Sequence, residues 1–254
     1  MAKIIAVTNQ KGGVGKTTTA VNLCAALSAR GRSVLLCDMD PQANATSGLG
    51  VDKAAAAHTT YDVLLRGVPA ADAVVATAFG GVIPANQELS GGGIELVGLP
   101  EREFVLKTAL GTLRGGYDYI FIDCPPSLEM LTLNSLCAAD SVLIPVQCEY
   151  FALEGLADLI TTIRMIKRGL NPALEIEGVL LTMLDSRTNF SAQVASEIKK
   201  FFGKKVYAVT IPRNVRIAEA PSHGQPVVAY DASSRGAEAY RELAREFDKR
   251  AGGG

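Results

Sequence analysis

Compact apolar runs recur along the chain with little charge inside them, at residues 3–7, 33–37, 94–97, 119–122, 141–146, 176–181 and 206–211. Unbroken Val, Ile and Leu, without in–out alternation, suits strands buried on both faces of a parallel sheet. Between these runs lie segments of helical length, at 17–30, 101–114, 129–138, 153–168 and 191–202. A last helix, over about 233–249, puts Ala237, Tyr240, Ala244 and Phe247 on one stripe, with Leu243 beside it. The alternation predicts an α/β fold: a doubly wound, mostly parallel sheet flanked by helices. Residues 51–93, with AAAA and glycine clusters, read as short helices and loops. The apolar runs on either side belong to one sheet, so residues 1–254 are expected to form a single domain.

Composition narrows the class. The chain has 254 residues, 48% hydrophobic and 20% charged, without Trp, an ordinary globular balance with enough length for a large core. No apolar run approaches the roughly 18 residues that a membrane helix needs, and the N-terminal apolar stretch runs straight into a glycine loop, as a first strand would and a leader peptide would not. The five cysteines, Cys24, Cys37, Cys124, Cys137 and Cys148, are scattered without a CxxC, as expected of small core residues in a reducing, cytoplasmic compartment. His58 and His223 are isolated from any acid or cysteine at metal spacing.

The densest chemistry is the run Gln10-Lys11-Gly12-Gly13-Val14-Gly15-Lys16-Thr17-Thr18, which follows a predicted strand and opens a predicted helix. That context is what a phosphate-binding loop requires. Glycines let backbone N–H groups curl around phosphate oxygens, and the helix N-terminus adds a positive dipole. Lys16 can reach the β- and γ-phosphates of ATP, the Thr17 hydroxyl can ligate Mg²⁺, and Thr18 can contact the α-phosphate. The ordinary GxxxxGK[ST] pattern has glycine where Gln10 stands, and here a lysine, Lys11, follows it.

Two predicted strands end in acids. One ends Leu36-Cys37-Asp38-Met39-Asp40-Pro41-Gln42, the other Ile120-Phe121-Ile122-Asp123-Cys124-Pro125-Pro126. Ligand sites of open α/β sheets lie at strand C-termini, so both should border the phosphates. An apolar run closing on Asp123 is the Walker B arrangement, in which the acid holds Mg²⁺. Asp38 and Asp40 lie two apart and would face the same side of a continuing strand.

Together these motifs resemble the ParA/Soj partition ATPases, whose KGGVGKTT loop is the deviant Walker A. The likeness extends from Lys3 to about Phe247, and is dense at Thr182-Met183-Leu184-Asp185-Ser186-Arg187-Thr188-Asn189 and from Ile211 to Gly224. The resemblance implies that Lys11 reaches the partner's phosphates across an ATP-bound sandwich homodimer. It implies that Asp40 orients the attacking water, that Asp38 supports the Mg²⁺ shell, and that 123–127 is a γ-phosphate-sensing switch. Met183, Pro212, Arg213 and Asn214 resemble the family's adenine-side segments. Its partners would be nonspecific DNA and a ParB-type centromere-binding protein that stimulates hydrolysis. The first strand starts at residue 3, so the short type without a helix-turn-helix module is expected.

Charge bears on the partner. Net charge is −1, yet residues 185–216 hold seven basic residues against two acids. This local excess of five is an electrostatic footprint without a base-reading motif, suited to phosphate contact. Lys199 and Lys200 lie in it, and the resemblance makes Arg187 and Arg216 DNA-contacting positions. ATP-bound protein would then sit on the nucleoid. The runner-up is a MinD-like membrane ATPase; against it, the last helix carries Glu238, Glu242, Glu246 and Asp248, which an anionic lipid surface would repel. A third class, a nucleotide-locked scaffold, requires Asp40 not to work.

Overall fold

The computed structural model describes residues 1–149, 151–184 and 189–251. In chain order the elements are β1 (Lys3–Val7), α1 (Lys16–Ser28), β2 (Val34–Asp38), α2 (Asn44–Gly48), α3 (Thr60–Leu65), β3 (Val75–Thr77), β4 (Gly80–Ile83), α4 (Leu89–Leu96), α5 (Val105–Gly111), β5 (Tyr119–Asp123), α6 (Met130–Ala138), β6 (Ser141–Gln147), α7 (Ala152–Gly169), β7 (Glu175–Thr182), α8 (Asn189–Phe202), α9 (Val215–Glu219), α10 (Val227–Tyr230) and α11 (Arg235–Ala251). The strands form one sheet in the order β3-β4-β2-β5-β1-β6-β7, parallel except for the β3–β4 pair.

Successive strand residues point to opposite faces, and helices cover both. Ile4, Ala6, Leu35, Cys37, Ile120 and Ile122 join one buried cluster. Ile5, Val7, Leu36, Phe121 and Leu143 join the other. This two-sided burial is why the central strands read as continuous apolar runs. The register sets the site. Val7 pairs with Asp123 on β5, and Asp123 pairs with Asp38 on β2. The mouth of the glycine loop and both strand-terminal acids therefore stand side by side at one edge of the sheet.

The structure corrects the sequence at several places. Residues 94–97 are no strand: they end α4, whose buried Leu89, Gly92 and Leu96 have helical spacing while Ile94 is 81% exposed. The strand on that side is β4, paired with β2 and folded back on β3 within the segment read as irregular. Gly80, at φ +117°, starts it; a Cβ there would fall 2.8 Å from the Val34 carbonyl oxygen. Residues 206–211 form no named strand: they make an isolated bridge from Val206 to Val179, Tyr207 N and Ile211 N bond Val179 O and Leu181 O, both at 2.9 Å, and Ile211 O accepts from Leu184 N at 3.2 Å. The outward amides of Ala208 and Val209 donate instead to the Glu246 carboxylate of α11, at 2.9 and 3.1 Å. A side chain caps that edge where a further strand would continue. Helix α5 is shorter than the 101–114 expected.

Helix α11 buries its stripe. Ala237, Tyr240, Leu243, Ala244 and Phe247 are at most 1% exposed, and Phe247 meets Tyr119 edge-on at 5.2 Å. The apolar face of this helix is spent on the protein's own core. All five cysteines are buried and free.

Candidate nucleotide-binding and switch site

The glycine loop is shaped by its own backbone and braced from two strands. Gly13 and Gly15 hold φ +73° and +88°, the left-handed region that favours glycine, and Gly15 caps α1. No side chain caps the N-terminus of α1 and its first turn has no acid, so its leading N–H groups face the cleft as an anion site. From β6, the Pro145 carbonyl accepts a 2.8 Å bond from buried Asn9, whose Oδ1 accepts from Lys11 N at 3.0 Å. From β7, the Thr182 hydroxyl donates to Val14 O at 2.8 Å. Val14 itself is buried and holds the loop from behind.

A cleft of about 640 Å³ opens over this loop. It is lined by Gly12, Gly13, Gly15, Lys16, Thr17 and Thr18 of the loop, by Met183, Pro212, Asn214, Ile217 and Pro221, and by Asp40 and Pro126. The expected phosphate and base-side residues therefore share one cavity. Met183 holds φ +48°, a strained conformation kept at the cleft wall. The Asn214 side chain caps α9, accepting from Arg216 N and Ile217 N at 2.9 and 3.3 Å. Gly236 lets α9 approach α11: a Cβ there would lie 2.5 Å from Ile217 Cγ1.

The charges are unevenly satisfied. Lys16 is 7% exposed, and its ammonium donates to Lys11 O at 3.0 Å. Burial lowers its pKa, opposed by the charges of Asp123, Cys124 and Asp40. Asp123 is fully buried and neither carboxylate oxygen has a hydrogen-bond partner. Burial, then the charge of Asp38, raises its pKa well above the usual carboxylate range; the Thr17 hydroxyl lies near enough to oppose this without completing a hydrogen bond. An orphaned buried carboxylate beside a threonine hydroxyl is a hard-oxygen donor set that fits Mg²⁺, which takes few protein ligands and completes its shell with water and phosphate. Among the described residues no cluster of three His, Cys, Asp or Glu forms a protein-only metal cage.

Asp38 and Asp40 part company. Strand β2 ends at Asp38, so the two do not share a strand face. Asp40 is 8% exposed and borders the cleft. Asp38 is fully buried away from the cleft lining, and accepts from Asp40 N at 3.1 Å, Thr46 N at 2.8 Å and Thr46 Oγ1 at 2.7 Å. Burial raises its pKa to about 6 against those bonds. Of the three residues expected at the metal, Thr17 lines the cleft, Asp123 is buried beside it, and Asp38, paired with Asp123 across the strands, also anchors the loop that carries Asp40.

Three of the cations expected to act between molecules, Lys11, Arg216 and Lys200, are paired within the chain. Lys11 Nζ lies 2.6 Å from Glu149 Oε2. Arg216, on α9, bonds Glu219 at 2.9 Å and Asp231 at 3.2 Å. Lys199 and Lys200 are exposed in the last turn of α8, Lys200 paired with Glu197 at 2.6 Å. Arg187 lies outside the described residues. Asn9, Thr46, Glu149, Thr182 and Tyr240 were missed by the motifs. Their roles rest on contacts made across the fold; Asn9, directly ahead of the glycine loop, and Thr182, at the start of the stretch that resembles the family, carry a local signal.

Comparison with known proteins agrees with this geometry. The AAA domain family matches residues 2–176. The chain is 58% identical over 248 residues to the sporulation initiation inhibitor protein Soj of Bacillus subtilis, covering 97% of this chain and 98% of that protein. It is 53% identical over 252 residues to the chromosome partitioning protein ParA of Myxococcus xanthus, covering 98% of this chain and 89% of that one. A solved structure described as cobyrinic acid a,c-diamide synthase of Mycobacterium smegmatis, with bound ADP and magnesium, matches with a TM-score of 0.85 at 40% identity, covering 98% of this chain and 95% of that one. Sheet order, glycine loop and strand-end acids define a P-loop nucleoside-triphosphatase fold of the ParA/MinD type. Within that class, the chain belongs to the ParA/Soj family of chromosome-partitioning ATPases.

Proposed function

We propose that the chain works as one ATPase domain that switches between a monomer and an ATP-bound sandwich homodimer, and that the dimer binds DNA without sequence preference. A ParB-type centromere-binding protein would stimulate hydrolysis and release it, serving chromosome or plasmid segregation in the cytoplasm. The observation that carries the nucleotide reading is the buried, unpartnered Asp123 facing a helix N-terminus that lacks a cap. The family relationship carries partition.

In this reading the loop amides and Lys16 hold the β- and γ-phosphates, and Thr18 the α-phosphate. Met183, Pro212 and Asn214 wall the adenine. Mg²⁺ held by Thr17 and Asp123 would supply positive charge to the phosphate oxygens. Asp40 orients the water that attacks the γ-phosphorus, and ADP with inorganic phosphate leaves. Lys11 exchanges Glu149 for the partner's phosphates. Arg187, Arg216, Lys199 and Lys200 contact DNA phosphates, and dimerisation doubles those contacts, on which affinity depends steeply.

A membrane-binding, MinD-like role finds less support, because the stripe of α11 is buried and no described helix is long and apolar enough to cross a membrane. The name of the Mycobacterium smegmatis structure belongs to an amide-forming synthase; higher identity over nearly the whole chain favours partition. The deciding experiment is a DNA titration with ATP, with ADP and without nucleotide, beside anionic-vesicle sedimentation. ATP-dependent DNA binding supports the proposal; ATP-dependent vesicle binding without DNA binding sinks it.

A further inference from the structure

The loop from Asp38 to Thr46 carries Asp40, Gln42 and Asn44 to the cleft. Backbone contacts hold part of the loop: Met39 N bonds Asp123 O at 3.0 Å, Asp40 N bonds Asp38 Oδ1 at 3.1 Å, Gln42 N bonds Asp40 Oδ1 at 2.9 Å, and Ala43 N bonds Asp40 O at 2.8 Å. Ala43 stands at φ +54°, a conformation a non-glycine residue keeps only where its surroundings impose it. A buried contact joins the two ends of the loop. Asp38 Oδ2, at its start, accepts both the N–H and the hydroxyl of Thr46, at its end. The same Thr46 oxygen accepts from Ala85 N at 3.0 Å, just beyond β4. Thr60 closes the arrangement, donating to the Asp38 carbonyl at 2.7 Å. Asp38, Thr46 and Thr60 are all fully buried.

We propose that Thr46 is a positioning residue: its hydroxyl clasps this loop onto Asp38 and β4, and so fixes where Asp40 stands at the cleft. The proposal rests on the ATPase reading above. One hydroxyl performs two tasks, giving its proton to Asp38 and a lone pair to Ala85 N–H. Valine has nearly the same shape and can do neither. It would leave a buried amide unsatisfied and the carboxylate short of a donor. Serine can do both. Thr46 does not line the cleft, so ATP affinity should survive its loss, whereas catalysis depends on placement to within about an ångström.

The test uses the purified full chain with ATP, Mg²⁺ and DNA, measuring phosphate release and ATP affinity on the same samples. Thr46→Val is expected to lower kcat by about 10-fold or more while the Kd for ATP changes by less than about 2-fold, and Thr46→Ser to return kcat to within about 2-fold of wild type. Unchanged kcat in Thr46→Val overturns the clasp. So does a parallel loss of ATP affinity and turnover, which marks general loss of packing. If Thr46→Val does not purify folded, Thr46→Ala, which also removes the hydroxyl, is judged by the same criteria. Absence of turnover in the wild-type chain overturns the ATPase reading and the clasp's catalytic role with it. Wild-type turnover with an unaffected variant overturns the clasp alone.

Discussion

The two ends of the cleft are built on opposite principles. The phosphate end comes from one contiguous strand–turn–helix and from acids on the neighbouring strands. Its buried charges lack hydrogen-bonded ion partners, Asp123 having no hydrogen bond and Lys16 bonding only a carbonyl, while the half-exposed Lys11 pairs with Glu149. The base end gathers Met183, Pro212, Asn214 and Ile217 and is propped from α11. On its α9 wall the charge is exposed and already paired, as in Arg216 with Glu219 and Asp231. A buried unpaired charge costs stability that a charged ligand can return. Exposed ion pairs are worth about 0–1 kcal/mol, so a cation held that way can exchange its carboxylate for a phosphate at small cost. In the proposed function the first end holds the nucleotide and the second makes and breaks contacts.

The contrast can be broken first at Lys16. Lys16→Ala should weaken ATP binding by on the order of 100-fold or more, since charge-assisted bonds to two phosphates go with it; calorimetry with ATP checks this, and near-normal affinity would mean that the buried cation is not the anchor. Asp40→Ala should lower turnover by roughly 100-fold or more while ATP binding and the ATP dimer persist, seen as phosphate release against size exclusion. Lys11→Ala should keep monomer ATP binding and lose the ATP dimer in size exclusion with light scattering; a full dimer would remove the role between subunits. Arg216→Glu, and Arg187→Glu with it, should weaken ATP-dependent DNA binding by about 10-fold with dimerisation intact. A symmetric dimer that loses two phosphate contacts should show a log–log salt slope shallower by about 2. Normal DNA binding by the double variant would end the assignment of that face. The smallest effect is expected at Glu246→Ala, which unpairs the Ala208 and Val209 amides: about 1–2 kcal/mol of stability, read as a fall in Tm of roughly 2–8 °C, with only a modest loss of ATP affinity. A large loss of affinity would show the base end to be less tolerant than the comparison holds.

The geometry of this site was legible to different depths. The glycine loop could be read because its geometry is local: Gly13 and Gly15 supply positive φ between a strand and a helix in a single stretch of chain. Asp123 could be read because a buried strand is an apolar run and its last residue must emerge at the sheet edge. Asp38 lies in the loop expected, where its visible contacts are to Asp40 N and Thr46. Its spacing from Asp40 predicted a shared face only if the strand continued, and the strand stops at Asp38.

By itself the sequence determined the alternating α/β order, the phosphate loop, the acids at the strand ends and the family. Each of these is written in contiguous residues whose backbone preferences decide the local shape. The tertiary structure alone decided that residues 94–97 turn in a helix while β4 supplies the strand, and that Glu246 caps the 206–211 edge. It also decided that Thr182 braces a loop 168 residues away, and that Thr46 closes the Asp38 loop. A helix and a strand compete on nearly equal terms for a short apolar run until packing assigns its faces. The partner of a buried hydroxyl or carboxylate is whichever donor or acceptor the fold delivers within about 3 Å of it, a distance that no spacing along the chain encodes.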